Sequence, residues 1–416
     1  MDQGTTAQRP ACAGITGTAS PWRHFIEFYH GQSPHADEAR HGTWPEAEAF
    51  WQGYFATDTR ADALAGSLLA GETTRPAFEQ ALGADADADD FTTPLAAFMA
   101  QGSTLPPAID FAAAERGARV YRDLPSTVTT GHGVVGAFIF GAIYPNAAIA
   151  LSLNANIAQA TDRRYLRTTK YVADLVSEGG LRWGGEGAKS AARVRLVHGF
   201  VRREIARHFS WRTAVYGEPI NQVATLLTAT VTGTWVIPYA ERHGYRFTAR
   251  EKDDIAMFTA LQAHYQGVAP QFLLTDYTAL QRFNAWALYY GGLPEADDRP
   301  RTMSVLRPLI TNGYPFSRSR LGTAAFNAMT MAYSRLMLGD ALCEAYEIPR
   351  SLPGQLIAFF AGIAGRRTAA RHAARTEDGA YCQQRKHWWN THIPMMLERA
   401  TGSRDTNYAH SANTRQ

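Results

Sequence analysis

Along this chain apolar residues recur at steps of three and four far more often than they alternate, so helices are expected and strands are not. The stretch "ARVRLVHGFVRREIARH", Ala192 to His208, shows the pattern clearly: Val194, Val197, Val201 and Ile205 form one stripe, expected to be buried. His198 sits at the edge of that stripe and arginines occupy the remaining faces, with Gly199 the one interruption. Upstream, "DRRYLRTTKYVADLV" predicts a helix over Asp162–Val176 with Asp162 near its start as a cap. The glycine-rich "EGGLRWGGEG" ends that helix and leads into the next. Further helices are predicted from near Pro45, from Pro219 into a Thr-rich apolar run, and after a Thr248 cap in "TAREKDDIAMFTALQAHYQGV". The C-terminal third again carries helical stripes broken by Gly and Pro. The pattern therefore predicts an all-α protein: one helical domain over 21–402, with polar tails at 1–20 and 403–416.

Gly133 to Leu153 carries no charge and is long enough to cross a bilayer. Pro145 and Asn146 interrupt it and no basic flank follows, so it is expected to form a buried helix pair around a cavity, and no integral membrane span is expected. Apolar residues make up 45% of the 416 residues and charged ones 19%, which suits a large buried core. A net charge of +3 without blocks of like charge gives no footprint for nucleic acid. Cys12, Cys343 and Cys382 are sparse and lack CxxC spacing, so neither a disulfide framework nor a zinc–thiolate site is expected. No leader is evident; if Met1 is the natural start the protein is expected in the cytoplasm, and if a leader has been removed it is secreted.

Several chemistries are set aside by their missing motifs: no dinucleotide fingerprint, P-loop, nucleophile elbow or HExxH spacing is present. Asp85, Asp87 and Asp89 echo a calcium loop but lack its Gly and closing Glu, and read as a solvated turn. Glu38 and His41 form one Glu-x-x-His pair, but a di-iron bundle needs a second. Haem needs only a single helical histidine, with its second ring nitrogen oriented by a partner. His198 is such a candidate, and Arg195 and Arg202, three and four residues away, are candidate partners for haem propionates. On the residues alone, a packed structural histidine is the other reading.

The order and spacing of three motifs decide between these. "RYLRTT" (Arg164–Thr169), "VRLVHGFVRR" and "GEPINQ" (Gly217–Gln222) together resemble the latex-clearing protein family of haem b rubber oxygenases and its wider superfamily, mainly over residues 125–290. The resemblance implies a globin-like helical core with extra N- and C-terminal helices, haem b, dioxygen as co-substrate, and oxidative cleavage of carbon–carbon double bonds. Carried over, His198 is the proximal iron ligand, Arg164 and Thr168 with Arg167 between them lie at the reaction site, and Asn221 belongs to the cofactor's surroundings. Two positions depart from the family. Arg167 stands where some members have a lysine able to cap the iron, and a guanidinium stays protonated and ligates poorly. Ala148 stands where the family has a glutamate base; Asn146, Asn154 and Asn156 are the polar residues nearby, and an amide cannot take a proton as a carboxylate can. The expected substrate is an apolar olefin, polyisoprene or a smaller isoprenoid. The alternatives are a haem-dependent hydroxylase or epoxidase and a non-catalytic haem sensor.

Overall fold

The computed structural model describes residues 22–30, 44, 46–83, 92–133, 140–152, 161–290, 296–311, 320–373, 379–395 and 398. Among them every regular element is a helix, as the apolar periodicity requires. The readings made for both tails, for Cys12, for Asp85, Asp87 and Asp89, and for Glu38 and His41 lie outside the described residues.

The helices that position the site are α1 (Arg23–His30), α2 (Thr59–Leu69), α3 (Phe111–Asp123), α4 (Pro145–Ser152), α5 (Thr161–Val176), α6 (Glu186–His208), α7 (Gln222–Thr232), α8 (Val236–Arg242), α9 (Ala249–Tyr265), α10 (Tyr277–Tyr289), α11 (Arg299–Thr311), α12 (Arg320–Ala345) and α13 (Leu352–Ala373). The centre is α9, which starts with the expected Thr248 cap, completed by Glu251 into a reciprocal capping box. From Asp254 to Tyr265 nearly every residue of α9 is buried, polar ones included. It lies against α3 so closely that a Cβ on Gly117 would stand 2.0 Å from the Asp254 carbonyl oxygen, and Arg116 grips the Asp254 carboxylate through two hydrogen bonds of 3.0 and 2.7 Å. Around α9 the main core gathers Trp235, Tyr239, Phe258, Leu261 and Trp286, with Trp51 and Trp286 in edge contact at 4.8 Å.

A smaller core lies between α2 and α6, built from Leu64, Phe78, Phe98 and Leu196. Its closeness depends on the glycine that follows His198: a Cβ on Gly199 would meet the Ala61 carbonyl oxygen at 2.5 Å. A helix-weakening residue is tolerated there because it lets two backbones touch.

The sequence places helix boundaries well except at Pro219. The helix there begins at Gln222, with Asn221 as its cap. Ile220 occupies the left-handed region at φ 51°, which no continuing helix accepts and which costs a non-glycine residue about 1–2 kcal/mol. The uncharged 133–153 run folds inward where it is described: Phe140, Tyr144, Ala148 and Ile149 are buried. Among the described residues, one stretch is long and apolar enough to span a bilayer, Gln222–Arg242, and it is 94% buried.

Candidate functional site

Helices α5 and α6 form a hairpin whose closed end is fixed by polar contacts. Asp174 accepts hydrogen bonds from Lys170 on its own helix and from Ser190 across the hairpin, the latter at 2.7 Å. Gly187 lies so near Leu175 that a Cβ would come within 2.7 Å of its Cα. Carried up the hairpin at equal rise on both helices, that pairing sets Arg164 opposite residues 198–200 and Thr168 opposite residues 194–196. Thus "RYLRTT" and "VRLVHGFVRR", thirty residues apart in sequence, meet at one level. Arg167 and Thr168 are half-buried there. The assignment for the Arg164 side chain lies outside the described residues.

The valine stripe is not where its periodicity placed it. Val194, Val197 and Val201 are only half-buried, as is His198, while Ile205 is buried. The face of α6 that packs fully is the neighbouring one, with Ala192, Arg195, Leu196, Gly199 and Arg202. A stripe of small apolar residues can serve a bound apolar group as well as a protein core, and sequence periodicity does not distinguish the two. His198 therefore stands on a half-buried face of α6 with Val197 and Val201, while Val194 packs against the main core.

The two arginines next to His198 are the inverse case. Arg195 is 1% exposed and makes a paired contact with Asp58 at 2.5 and 2.9 Å, a 2.6 Å bond to Gln101 and a stack over Phe98. Burial alone would raise the Asp58 carboxyl, but the hydrogen bonds and charge of Arg195 hold it below its ordinary value. Arg202 binds Asp62 at 2.7 Å and reaches the carbonyls of Ile220 and Asp58. Their guanidiniums are engaged with α2 and its cap, so a propionate at Arg195 or Arg202 would compete with these partners. Asp58 and Asp62, spaced four apart at a helix start, face arginines spaced seven apart; that matching periodicity was the available signal.

"GEPINQ" is likewise a knot rather than a cofactor contact. Asn221 is fully buried, its Oδ1 accepting from the Ala224 N–H at 2.9 Å and its Nδ2 donating to the Glu218 carbonyl. The Gln222 amide accepts from Ala269 N–H and donates to the Gly267 carbonyl. Gly267 itself, at φ 88°, leaves no room for a Cβ beside Asp58. Asn146, near the position where a base was sought, is the clamp on this knot: its Nδ2 donates to the carbonyls of Tyr216 and Glu218 (3.0 and 2.9 Å) and its Oδ1 accepts from Ile220 N–H at 3.1 Å. All of its hydrogen-bonding directions toward the loop are used, which is how the unfavourable Ile220 backbone is held. Replacing Asn146 by Ala is expected to cost about 2–3 kcal/mol, read by urea denaturation. Ala148 is wholly buried and supplies no proton acceptor; Asn154 and Asn156 lie outside the described residues.

Three buried titratable residues elsewhere in the core were not singled out from the sequence: Tyr171, His132 and His264. Tyr171, three residues beyond Thr168, is buried and accepts a 2.6 Å hydrogen bond from Gln266 at the end of α9. His132 is buried, with its Nε2 2.8 Å from the Val231 carbonyl, and burial pushes its pKa down to about 4; burial also lowers that of His264 to about 4. Both stay neutral in the fold to well below their ordinary 6.5, so the unfolded chain takes up protons first as pH falls. The stability they confer is complete above about pH 6.5 and declines from there toward pH 4. At pH 5 each imidazole is expected to subtract about 2 kcal/mol, visible as a falling melting temperature that His132→Gln makes shallower.

Among the described residues no three His, Cys, Asp or Glu side chains converge as metal-binding groups do. What the α5–α6 hairpin sets on facing helices is one half-buried imidazole, beside Val197 and Val201, and the half-buried Arg167 and Thr168. This donor set fits haem, which asks the protein for a single strong ligand and an apolar surround.

Fold and sequence together define a helical oxygenase. The chain belongs to the family described as ER-bound oxygenase mpaB/B'/rubber oxygenase, whose catalytic domain matches residues 118–370. In structure it is similar to latex clearing protein in its closed state, with a TM-score of 0.59 and 17% sequence identity over 82% of this chain and 91% of that one. A comparison with curated protein sequences gives no match. The resemblance stated from three motifs is thus borne out as family and as all-α fold.

Proposed function

We propose that this oxygenase is haem b-dependent and oxidises a carbon–carbon double bond of an apolar olefin with dioxygen, with His198 as the axial ligand of the iron. The observation that carries the reading is the half-buried His198 beside Val197 and Val201 on α6, which the Gly187–Leu175 and Ser190–Asp174 contacts set opposite the Arg164–Thr168 stretch of α5. Bound there, haem supplies the activation of dioxygen; the oxidation belongs to the cofactor. The chain's share is to hold the group through the His198 imidazole, to present valine methyls that exclude water, and to set Thr168 and the permanently charged Arg167 on the facing helix turn. Arg164, on the same helix turn, is proposed to act with Thr168, four residues on.

Cleavage to carbonyl products is one outcome. Hydroxylation or epoxidation is the second reading, favoured by α4: Ala148 is buried and the Asn146 amide is spent on the Tyr216–Ile220 loop, so no described side chain of α4 can take an allylic proton. Oxygen uptake by purified protein, with polyisoprene and with short terpenoid olefins, tests the activity. Uptake in proportion to olefin, with product masses showing chain scission or single-oxygen insertion, supports it and separates the two readings. A haem-bearing protein that consumes no oxygen with any of these olefins would instead be a sensor or carrier.

A further inference from the structure

Among the described residues helix α13 gathers four exposed large apolar side chains on one face, whereas the others, Leu69, Phe209, Leu321 and Leu336, are scattered over other segments. Its inner face is tightly seated: a Cβ on Gly354 would stand 1.8 Å from the Ala328 carbonyl of α12, Gly365 lies against His243, and Ala369 is buried. Its outer face carries Leu352, Leu356, Phe359 and Phe360 at the i, i+4, i+7, i+8 spacing of a single stripe, and these side chains are 75, 63, 61 and 63% exposed. Leaving that much apolar surface in water is costly, and contiguous exposed apolar patches mark sites of interaction. About two turns further along the same face, Arg366 and Arg367 are exposed, and α13 contains no Asp or Glu. No carboxylate partner of either arginine is found among the described residues.

We propose that the outer face of α13 docks this protein on an anionic lipid surface, the stripe entering the headgroup–acyl boundary and the two arginines meeting lipid phosphates. An apolar face followed by cations, without acids, is the composition of a helix lying in a membrane interface. The charge decides against a second copy of the chain as the occupant. Paired antiparallel about Phe359, two such helices set the Arg366–Arg367 turn of each against Leu352 of the other, and paired parallel they set arginine against arginine; both arrangements desolvate charge without a counter-charge. A bilayer offers the arginines phosphates at the depth they occupy and the stripe a hydrocarbon edge. The helix does not span: the apolar half, Leu352 to Gly365, is about 21 Å long at 1.5 Å per residue, short of a core of about 30 Å.

The inference does not depend on haem, and its test reads neither colour nor activity. Full-length protein is floated with phosphatidylcholine vesicles and with vesicles that also contain phosphatidylglycerol. Binding is expected to the anionic vesicles, to fall with added salt, and to drop at least about tenfold in the variant Leu356→Ser/Phe359→Ser/Phe360→Ser, whose changes are all on the surface. Arg366→Gln/Arg367→Gln is expected to weaken anionic binding toward the zwitterionic level. Failure to float with anionic vesicles overturns the proposal, as does binding that is equal on both vesicle types. Light scattering that shows a dimer dissolved by the serine variant, without vesicle binding, assigns the face to a second copy instead.

Discussion

The variant His198→Ala is expected to purify folded but colourless. The side chain is half-buried and lies off the fully packed face of α6 formed by Ala192, Arg195, Leu196, Gly199 and Arg202. Loss of a partner that merely supports a metal ligand costs roughly 10–100-fold in affinity or activity, and loss of the axial ligand itself exceeds that. The expected result is therefore the disappearance of Soret absorbance and of olefin-dependent oxygen uptake, with the helical circular-dichroism signal and the melting transition of the apoprotein retained. Adding imidazole, which can fill the space of the missing ring, is expected to restore part of the Soret band. A His198→Ala protein with full haem content would remove His198 as ligand and leave the structural reading of that histidine.

The largest expected effect on stability lies a few ångströms of chain away, at Arg195. Its guanidinium is buried with Asp58 and bears on Gln101 and Phe98, and Gly267 is packed against the pair with no room for adjustment. Removing one member strands a buried charge, so Arg195→Ala and Asp58→Ala are each expected to cost about 3–5 kcal/mol, a large part of the stability of a typical domain. The double variant is expected to be less unstable than the sum of the two, because neither charge is left alone. Denaturant unfolding of the four proteins of this cycle reads the coupling directly. The cycle also separates two roles for Arg195: a propionate partner would lose haem affinity in Arg195→Ala but not in Asp58→Ala, whereas a structural pair loses stability in both and haem affinity in neither.

How much of this was legible beforehand differs between the helices and the chemistry on them. Thr248 as a cap, the glycine-rich break before α6 and the helical spacing throughout are local properties, written in residues a few positions apart, and they place the elements well. Pro219 misled because Ile220, one residue on, takes a left-handed conformation that only the distant Asn146 and Arg202 sustain. The valine stripe misled for a related reason: periodicity reports that a face is apolar and is silent on whether protein or another apolar group covers it. Arg195 and Arg202 looked available because their partners lie about 140 residues away on α2. The three-motif order, by contrast, carried the family correctly, since "RYLRTT" and "VRLVHGFVRR" are brought to one level by the hairpin that Asp174, Lys170 and Ser190 close.

Membrane docking through α13 and oxidation of an apolar olefin would suit each other, because apolar substrates concentrate in bilayers, but the two stand on separate observations. The haem reading rests on His198 and its neighbours on α6, and the docking surface on an exposed stripe followed by two arginines.

The most direct test of the central claim is the ultraviolet–visible spectrum of the purified protein, oxidised and then reduced, after expression in haem-sufficient cells. A Soret band that shifts on reduction, with a pyridine haemochrome of the b type at close to one haem per chain, is the predicted result. A folded protein without Soret absorbance, and with none after reconstitution with haemin, would contradict it.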